Sequence, residues 1–466
     1  MIRPTLLALA LFSVINCACA QSVSPLPHSP GTPYAASGLA DRIVLTPGAN
    51  PAREMAVTFR TDTRQQASQL QLAIALDGPQ LDKAAHLLEG KQVSLDTENG
   101  AALYHQVRLH DLQPDTAYVY RVKGAEGWSE WLQFHTPTEA FKPFNFIYMG
   151  DMQNDILSLA SRSIRQALHS VANPALVVHA GDLVSQRDDL VHDDQWGEWN
   201  QAGGYNYAML PQVVAIGNHE YLDSTNPDGT EGRTLSPHWS RQFALPDNGV
   251  PGLKNTTYFV DYQGVRFIVL DGTAALDMGT LTKQTEWLEK SLKNSPARWN
   301  IVVNHQPVFT CARPEDTEPL KAAWKPLFEQ YAVDLVLQGH DHCYSRVTHE
   351  AGREAASLAR AGGQVQGPVY MVSVAGSKMY GLNDRAQLQP DRSAEETQLY
   401  QTIDVQNASL KVRSYTAAGT LYDAFDLERD ADNRNHLIEP VDDLPAERAC
   451  HGTVGPDGYP CKSRGK

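Results

Sequence analysis

Beyond its first twenty residues this sequence has no apolar run long enough to cross a membrane, a span needing about 20 residues. It also has no C-x-x-C pair. The first absence excludes a membrane-spanning helix in the processed chain, and the second removes the usual zinc-finger and thioredoxin-type signals. Positive charge is short as well: 39 Lys and Arg stand against 54 Asp and Glu, for a net charge of -15. A nucleic-acid binder would need a basic patch instead, so nucleic acid is excluded as a partner. The same deficit opposes a small anionic substrate unless bound cations reverse the local field. No internal repeat is present, which excludes a solenoid or propeller.

Residues 1–20 have the composition of an export signal. Arg3 supplies the positive start, Leu6 to Ile15 is almost wholly apolar, and Ala18-Cys19-Ala20 offers a small-residue cleavage site before Gln21. A lipoprotein variant built on Cys17 is a poor fit with Asn16 before it. The expected location is therefore periplasmic or extracellular. Removing the signal leaves Cys311, Cys343, Cys450 and Cys461 out of six cysteines. Four cysteines in an exported chain suggest two disulfides with three possible pairings. Cys450 and Cys461 lie close together in a Gly/Pro-containing tail and would staple it, leaving Cys311 for Cys343.

At 466 residues the chain exceeds one core and calls for two domains and a tail. Residues 21–38 are Ser/Pro-rich and are expected to form a flexible linker. Over residues 39–138 short alternating runs at Met55–Phe59, Leu70–Ile74, Tyr104–Leu109, Ala117–Val122 and Trp131–Phe134 are separated by turn signals such as Gln113-Pro114-Asp115. They predict a β-sandwich of about a hundred residues. The stretch Leu112–Val122 resembles the corresponding part of fibronectin type III modules. His105 and His110 have no partner at ligand spacing and read as ordinary strand and turn residues.

From 143 to 428 the texture becomes α/β. Strand candidates alternate with helical stretches near Ile156–Val171, Lys283–Asn294 and Leu320–Tyr331, and nearly every strand ends in a polar signature. Phe146–Met149 leads into Gly150-Asp151, and Leu176–Ala180 into Gly181-Asp182. Gln212–Ile216 leads into Gly217-Asn218-His219-Glu220, and Phe267–Leu270 into Asp271-Gly272. Ile301–Asn304 leads into His305, and Leu335–Gln338 into Gly339-His340-Asp341-His342. Ligands of an α/β domain gather beyond the carboxyl ends of its strands, where these signatures sit. Strands at Leu399–Val405 and Leu410–Tyr415 close the domain, and residues 429–466 are expected to be a loose tail apart from their staple.

Asp151, Asp182, Asn218, His305, His340 and His342, with His219 beside them, form a mixed oxygen and nitrogen donor set. It suits zinc, iron or manganese better than calcium, which prefers oxygen. Two metals sharing one carboxylate can activate water and neutralise a phosphoryl group, which would resolve the charge conflict. The ordered series Gly150-Asp151, Gly181-Asp182, Gly217-Asn218-His219-Glu220, Val302-Val303-Asn304-His305 and Gly339-His340-Asp341-His342 resembles the five motifs of calcineurin-like metallophosphoesterases. With a sandwich in front, it resembles their purple acid phosphatase branch, over roughly Arg42 to Leu427.

The resemblance implies two metal ions from iron, zinc or manganese. Asp182 would bridge them, Asp151 and His342 would complete the first site, and Asn218, His305 and His340 the second. It further implies attack on phosphorus by a metal-bridging hydroxide, with His219 steadying the phosphoryl oxygens or protonating the leaving alcohol. Two departures stand out. Ser185 occupies the position of the colour-giving tyrosine, and Gln153 the position of a histidine found in other metallophosphoesterases. A colourless protein with a weaker or different first metal is expected, with the carbonyl oxygen of Gln153 or Asn154 substituting. Gln306-Pro307-Val308-Phe309 follows His305, so the substrate-side histidines of plant and animal members are missing.

Other polar residues have plainer readings. His179 inside an apolar strand is expected to be a satisfied core histidine, and Asp271 structural. His192, Arg241 and Arg346 are expected on the surface or in loops, and Asp193–Trp199 as amphipathic packing. The function implied is an exported phosphatase acting on small phosphate monoesters. A phosphodiesterase with the same site is the alternative, and a non-catalytic surface-binding protein is the reading from another class.

Overall fold

The computed structural model describes residues 33–185, 192–225, 229, 231–348, 368–384 and 390–465. The expected export signal and residues 21–32 of the expected linker lie outside the described residues. The described end of that linker is packed: Tyr34 is buried against Gly197, and the Asp62 and Glu126 amides donate to Ser37 O and Gly38 O. The flexible expectation is corrected for residues 33–38.

Two antiparallel sheets then form a sandwich. One orders Asp41–Pro47, Met55–Thr61, Gly100–Leu109 and Lys91–Thr97; the other is built on Gln69–Ile74 and Ala117–Gly124. Val57, Phe59, Leu70, Val107, Tyr120 and Phe134 fill the space between them. Alternation puts every second side chain of a strand on that face.

The larger domain is two seven-stranded sheets packed face to face with helices outside. In the first, Gln212–Ala215, Val177–Ala180 and Phe144–Met149 run parallel, and Leu399–Val405, Ser409–Thr416, Leu421–Arg429 and Asn435–Ile438 continue antiparallel. In the second, Val265–Val269, Trp299–Val303, Leu335–Gln338 and Val369–Val372 are parallel, with antiparallel strands at both edges. These central strands are continuous apolar runs because both faces are covered. Phe267, Ile301 and Leu335 point at the first sheet, where Phe267 meets Phe146 edge-on at 5.3 Å. Ile268, Val302 and Val336 point the other way, onto Leu288 and Leu292 of helix Leu281–Lys293 and Trp324 and Phe328 of helix Glu318–Gln330.

The two domains are locked by a buried charge cluster. Asp193 accepts from Arg42 at 2.5 and 2.7 Å, from Arg60 at 3.1 Å and from His238 at 3.2 Å. Trp196 and Trp199 of the helix that follows are buried, as amphipathic packing requires.

Disulfides join Cys311 to Cys343 and Cys450 to Cys461. The tail is not loose. Asn435–Ile438 adds a strand to the first sheet, the Glu395 carboxylate accepts from the Cys450 amide, Gly381 pairs with Arg464, and Arg464 bonds Asp384. These contacts are mostly backbone or charged, which is why the polar composition of the tail gave no core signal.

Candidate metal centre

Three of the polar strand endings come from the first sheet and two from the second, and they meet at one place. Asp151 follows Phe144–Met149, Asp182 follows Val177–Ala180, and Asn218 follows Gln212–Ala215; His305 follows Trp299–Val303, and His340 and His342 follow Leu335–Gln338. The ligand atoms of Asp182, His305 and His340 lie within 4.8 Å of one another, and so do those of Asp151, Asp182 and His342. Asp182 belongs to both groups. His305 Nε2 is 3.0 Å from Asp182 Oδ2, 3.2 Å from Asn218 Oδ1 and 3.1 Å from His340 Nδ1.

The turns that carry these groups are strained. Asp151, Asp182, His340 and His342 have φ of +46°, +50°, +73° and +52°. Such left-handed backbone costs on the order of 1–3 kcal/mol per residue and gathers at functional sites. The turns also press together so closely that a Cβ on Gly217 would lie 2.1 Å from Asp182 Oδ1, and one on Gly339 2.3 Å from Asp151 Oδ2. Only glycine fits there.

Hydrogen bonds aim the side chains. His305 Nδ1 donates to Ala180 O at 2.7 Å, which turns Nε2 toward the cluster. The His340 amide donates to Asp151 Oδ2 at 2.6 Å, and the His219 amide to Asp182 Oδ1 at 2.9 Å. His219 Nδ1 donates to Ser185 O at 2.7 Å, and its Nε2 stands 3.9 Å from Asp182 Oδ2.

Gln153 and Ser185 part company. The Gln153 side-chain amide reaches into the first group, donating to Asp182 Oδ2 at 3.0 Å and standing 3.0 Å from His342 Nε2. Ser185 Oγ instead donates to Gln195 Oε1 at 3.0 Å.

The site fits metal ions on its own evidence. Among the described residues Asp151 Oδ1, Gln153 Oε1 and His342 Nδ1 are buried without a hydrogen-bond partner, and buried polar atoms are rarely left so. Burial, reinforced by the Asp182 charge and only partly offset by His305, pushes the Asp151 carboxyl up to about 8. Burial would lower His305, but the charge of Asp182 and the hydrogen bond to it, together with the Asp151 charge and the bond to Ala180 O, outweigh it and raise the imidazole to about 9. Two buried carboxylates beside two buried imidazoles and a half-buried third call for cations. Cys311, Asp341 and Cys343 also lie together, but there the cysteines are bonded to each other and the carboxylate accepts from the Ala312 amide at 2.9 Å.

Two supporting residues were not singled out by sequence reasoning. Glu220 is buried and accepts from the amides of Gly217, Asp182 and Leu183 at 2.7, 3.0 and 2.7 Å, so one carboxylate fixes two donor loops. Asp341 does the same for the Cys311 and His340 loops, helped by Arg313. Their place inside Gly-Asn-His-Glu and Gly-His-Asp-His was the available signal.

Of the residues given plainer readings, His179 is a core residue whose Nε2 donates to Gln212 Oε1 at 2.8 Å. Burial pushes its imidazole down to about 4. Asp271 caps helix Gly272–Asp277 and accepts from Tyr221. His192 pairs with Glu98 and Arg241 donates to Ser94 O, both toward the sandwich. Arg346 corrects its expectation: it is neither surface nor loop but buried in strand Tyr344–Val347, paired with Asp423 and Glu439 at 2.8 and 2.7 Å.

Comparison with known proteins agrees with the two-domain fold. Residues 144–344 match the calcineurin-like phosphoesterase family, and residues 40–136 match the N-terminal domain of purple acid phosphatases. A purple acid phosphatase of Glycine max is 27% identical over 324 residues, covering 66% of this chain and 68% of that protein. The Fe(3+)-Zn(2+) purple acid phosphatase 12 of Arabidopsis thaliana is 28% identical, covering 62% and 63%. The chain thus spans about two thirds of the length of these relatives. Among solved structures, the purple acid phosphatase PPD1 of yellow lupin superposes with a TM-score of 0.67 at 18% identity, over 85% of this chain and 75% of that one.

Proposed function

We propose that this chain, whose residues 144–344 match the calcineurin-like phosphoesterase family and whose residues 40–136 match the N-terminal domain of purple acid phosphatases, is exported and hydrolyses phosphate monoesters at a two-metal centre. The observation that carries the reading is the sharing of Asp182 between two donor groups. Asp151, His342 and Gln153 complete one group, and Asn218, His305 and His340 the other. Iron, zinc and manganese suit this mixed set, and such a pair supplies Lewis acidity that acidifies water and draws charge from phosphoryl oxygens.

The residues of the chain do the rest. With its Nδ1–H held by Ser185 O, protonated His219 presents Nε2–H toward the centre and delivers that proton to the leaving alkoxide. Gln153 turns its amide into the first group, while Ser185 Oγ is engaged with Gln195. No phenolate therefore comes from this position, and the metal-loaded protein is colourless. Glu220 keeps the Asp182 and Asn218 loops in register.

The test is metal content by elemental analysis of the mature protein, paired with hydrolysis of 4-nitrophenyl phosphate and bis(4-nitrophenyl) phosphate. Two metals per chain and faster monoester turnover, both lost in Asp182→Ala and His305→Ala, support the proposal. A diester preference would reassign the reaction while keeping the site. No bound metal and no turnover after supplying manganese, zinc or iron would sink the enzyme reading and favour a binding protein.

A further inference from the structure

The segment from Gly376 to Tyr380 is outside the donor set, yet both its ends are fastened to it. The Gly376 amide donates to Asp151 O at 2.8 Å, and the Tyr380 amide to His342 O at 3.1 Å. Between them Ser377 Oγ donates to Asp155 Oδ2 at 2.8 Å. The backbone here is thus positioned by the carbonyls of two donors of the first group. The Tyr380 ring stands edge-on to the His342 ring, with centroids 5.1 Å apart and an interplanar angle of 82°.

Two cations flank that ring: Lys378 Nζ is 5.7 Å and Arg313 Cζ 6.0 Å from its centroid. Arg313 is committed to the protein, donating to His340 O at 3.0 Å and to the Asp341 carboxylate. Lys378 is not: among the described residues it makes no hydrogen bond and pairs with no carboxylate. Its charge nevertheless bears on both Asp151 and His342. A half-buried ammonium stands beside the centre without an anionic partner of its own among the described residues, in a chain of net charge -15. The scissile phosphate is drawn to the donor set, so an anion meeting Lys378 is a different group.

We propose that Lys378, backed by the Tyr380 ring, is a specificity-determining residue that receives a second negative group of the substrate, so that the centre favours phosphate monoesters whose alcohol carries a nearby carboxylate or phosphate over neutral alkyl esters. This rests on the monoesterase reading above. Each turnover consumes one water: its oxygen bonds phosphorus, the P–O bond to the alcohol breaks, His219 protonates the alcohol and is reprotonated by one water proton, and the other proton leaves on the phosphate.

The experiment compares kcat/KM of the metal-loaded full chain for 2-phosphoglycolate and for ethane-1,2-diol bisphosphate, each divided by that for ethyl phosphate. At least one ratio falls about tenfold in Lys378→Gln, the order expected for losing one partly screened charge contact, and further in Lys378→Glu. Lys378→Arg retains it. Calorimetric titration with phosphonoacetate and ethylphosphonate gives a readout without turnover, and the preference for phosphonoacetate shrinks in Lys378→Gln by a similar factor. Ratios within twofold of the unmodified chain in both Lys378→Gln and Lys378→Glu, with unchanged phosphonate preference, overturn the proposal. So does an equal loss toward all three esters, which would mark a merely structural lysine. If the unmodified chain hydrolyses none of the esters, the monoesterase reading fails, and the phosphonate titrations still decide the role of Lys378.

Discussion

The sandwich and the strand ends of the larger domain bury ionisable groups in opposite ways. His105 in the sandwich is fully buried, stacked on Phe59 at 4.5 Å, with Thr61 Oγ1 and Ser68 Oγ at 2.8 and 2.9 Å from its two ring nitrogens. Asp193 at the domain joint is likewise surrounded by Arg42, Arg60 and His238. At the strand ends four donor residues hold left-handed backbone, and Asp151, Gln153 and His342 each keep a buried polar atom without a partner among the described residues. Polar groups satisfied from within the chain serve architecture. At the strand ends strained backbone and unmet polar atoms gather on residues that face one another, which is where a bound cation would be received.

The largest effect should come from the shared carboxylate. Asp182→Ala is expected to lower kcat/KM for 4-nitrophenyl phosphate by about 10⁴-fold or more, as removal of a group acting within a unit does, and to lower metal content below one ion per chain. Its thermal midpoint should fall by less than that of Asp193→Ala, because His305, unlike an arginine, can give up its proton when its carboxylate partner is lost. A strongly destabilised variant with intact metal content would erase the distinction between the two regions. Asp193→Ala should behave in reverse. It leaves Arg42 buried without a carboxylate partner, although Arg60 keeps Asp41, which costs about 3–5 kcal/mol of stability by denaturant unfolding, while kcat at a permissive temperature stays within about threefold.

How much of this was readable beforehand follows the same division. Asp151, Asp182, Asn218, His305, His340 and His342 could be picked out because each ends an apolar run, and strand ends converge in an α/β fold. Glu220 was in view but its task was not, because its partners are amides of Gly217, Asp182 and Leu183, which no side-chain pattern announces. Lys378 and Tyr380 follow no strand signature; their position depends on carbonyls of Asp151 and His342 far away in sequence. Arg346 was misread for a related reason: its partners Asp423 and Glu439 lie 77 and 93 residues further on. The tail was missed because Asn435–Ile438 is a polar edge strand recognised only by the strand it pairs with.

Glu220 sharpens the comparison, since it is fully satisfied yet serves the site. Glu220→Gln keeps the size but replaces acceptor oxygens by an amide that cannot take three backbone N–H groups. Metal affinity should fall about 10- to 100-fold, the range for groups that orient ligands, measured by competition with a chelator. An unchanged affinity would mean the loops hold their register without it.

The smallest effect should belong to the sandwich and show itself through pH. Burial pushes the His105 imidazole down to about 4, below the 6.5 of an unfolded chain. Between those values the unfolded state binds more protons than the folded one, so stability is full above pH 6.5 and declines as pH falls toward 4. Between pH 7 and pH 5 the loss attributable to His105 is about 2 kcal/mol, at 1.36 kcal/mol per pH unit below 6.5. Thermal or urea unfolding from pH 7 to pH 4 should therefore show a shallower decline in His105→Gln than in the unmodified chain, even though the variant starts lower. Parallel declines would mean that His105 does not titrate in that window, and that the acid sensitivity of the protein lies at the strand ends instead.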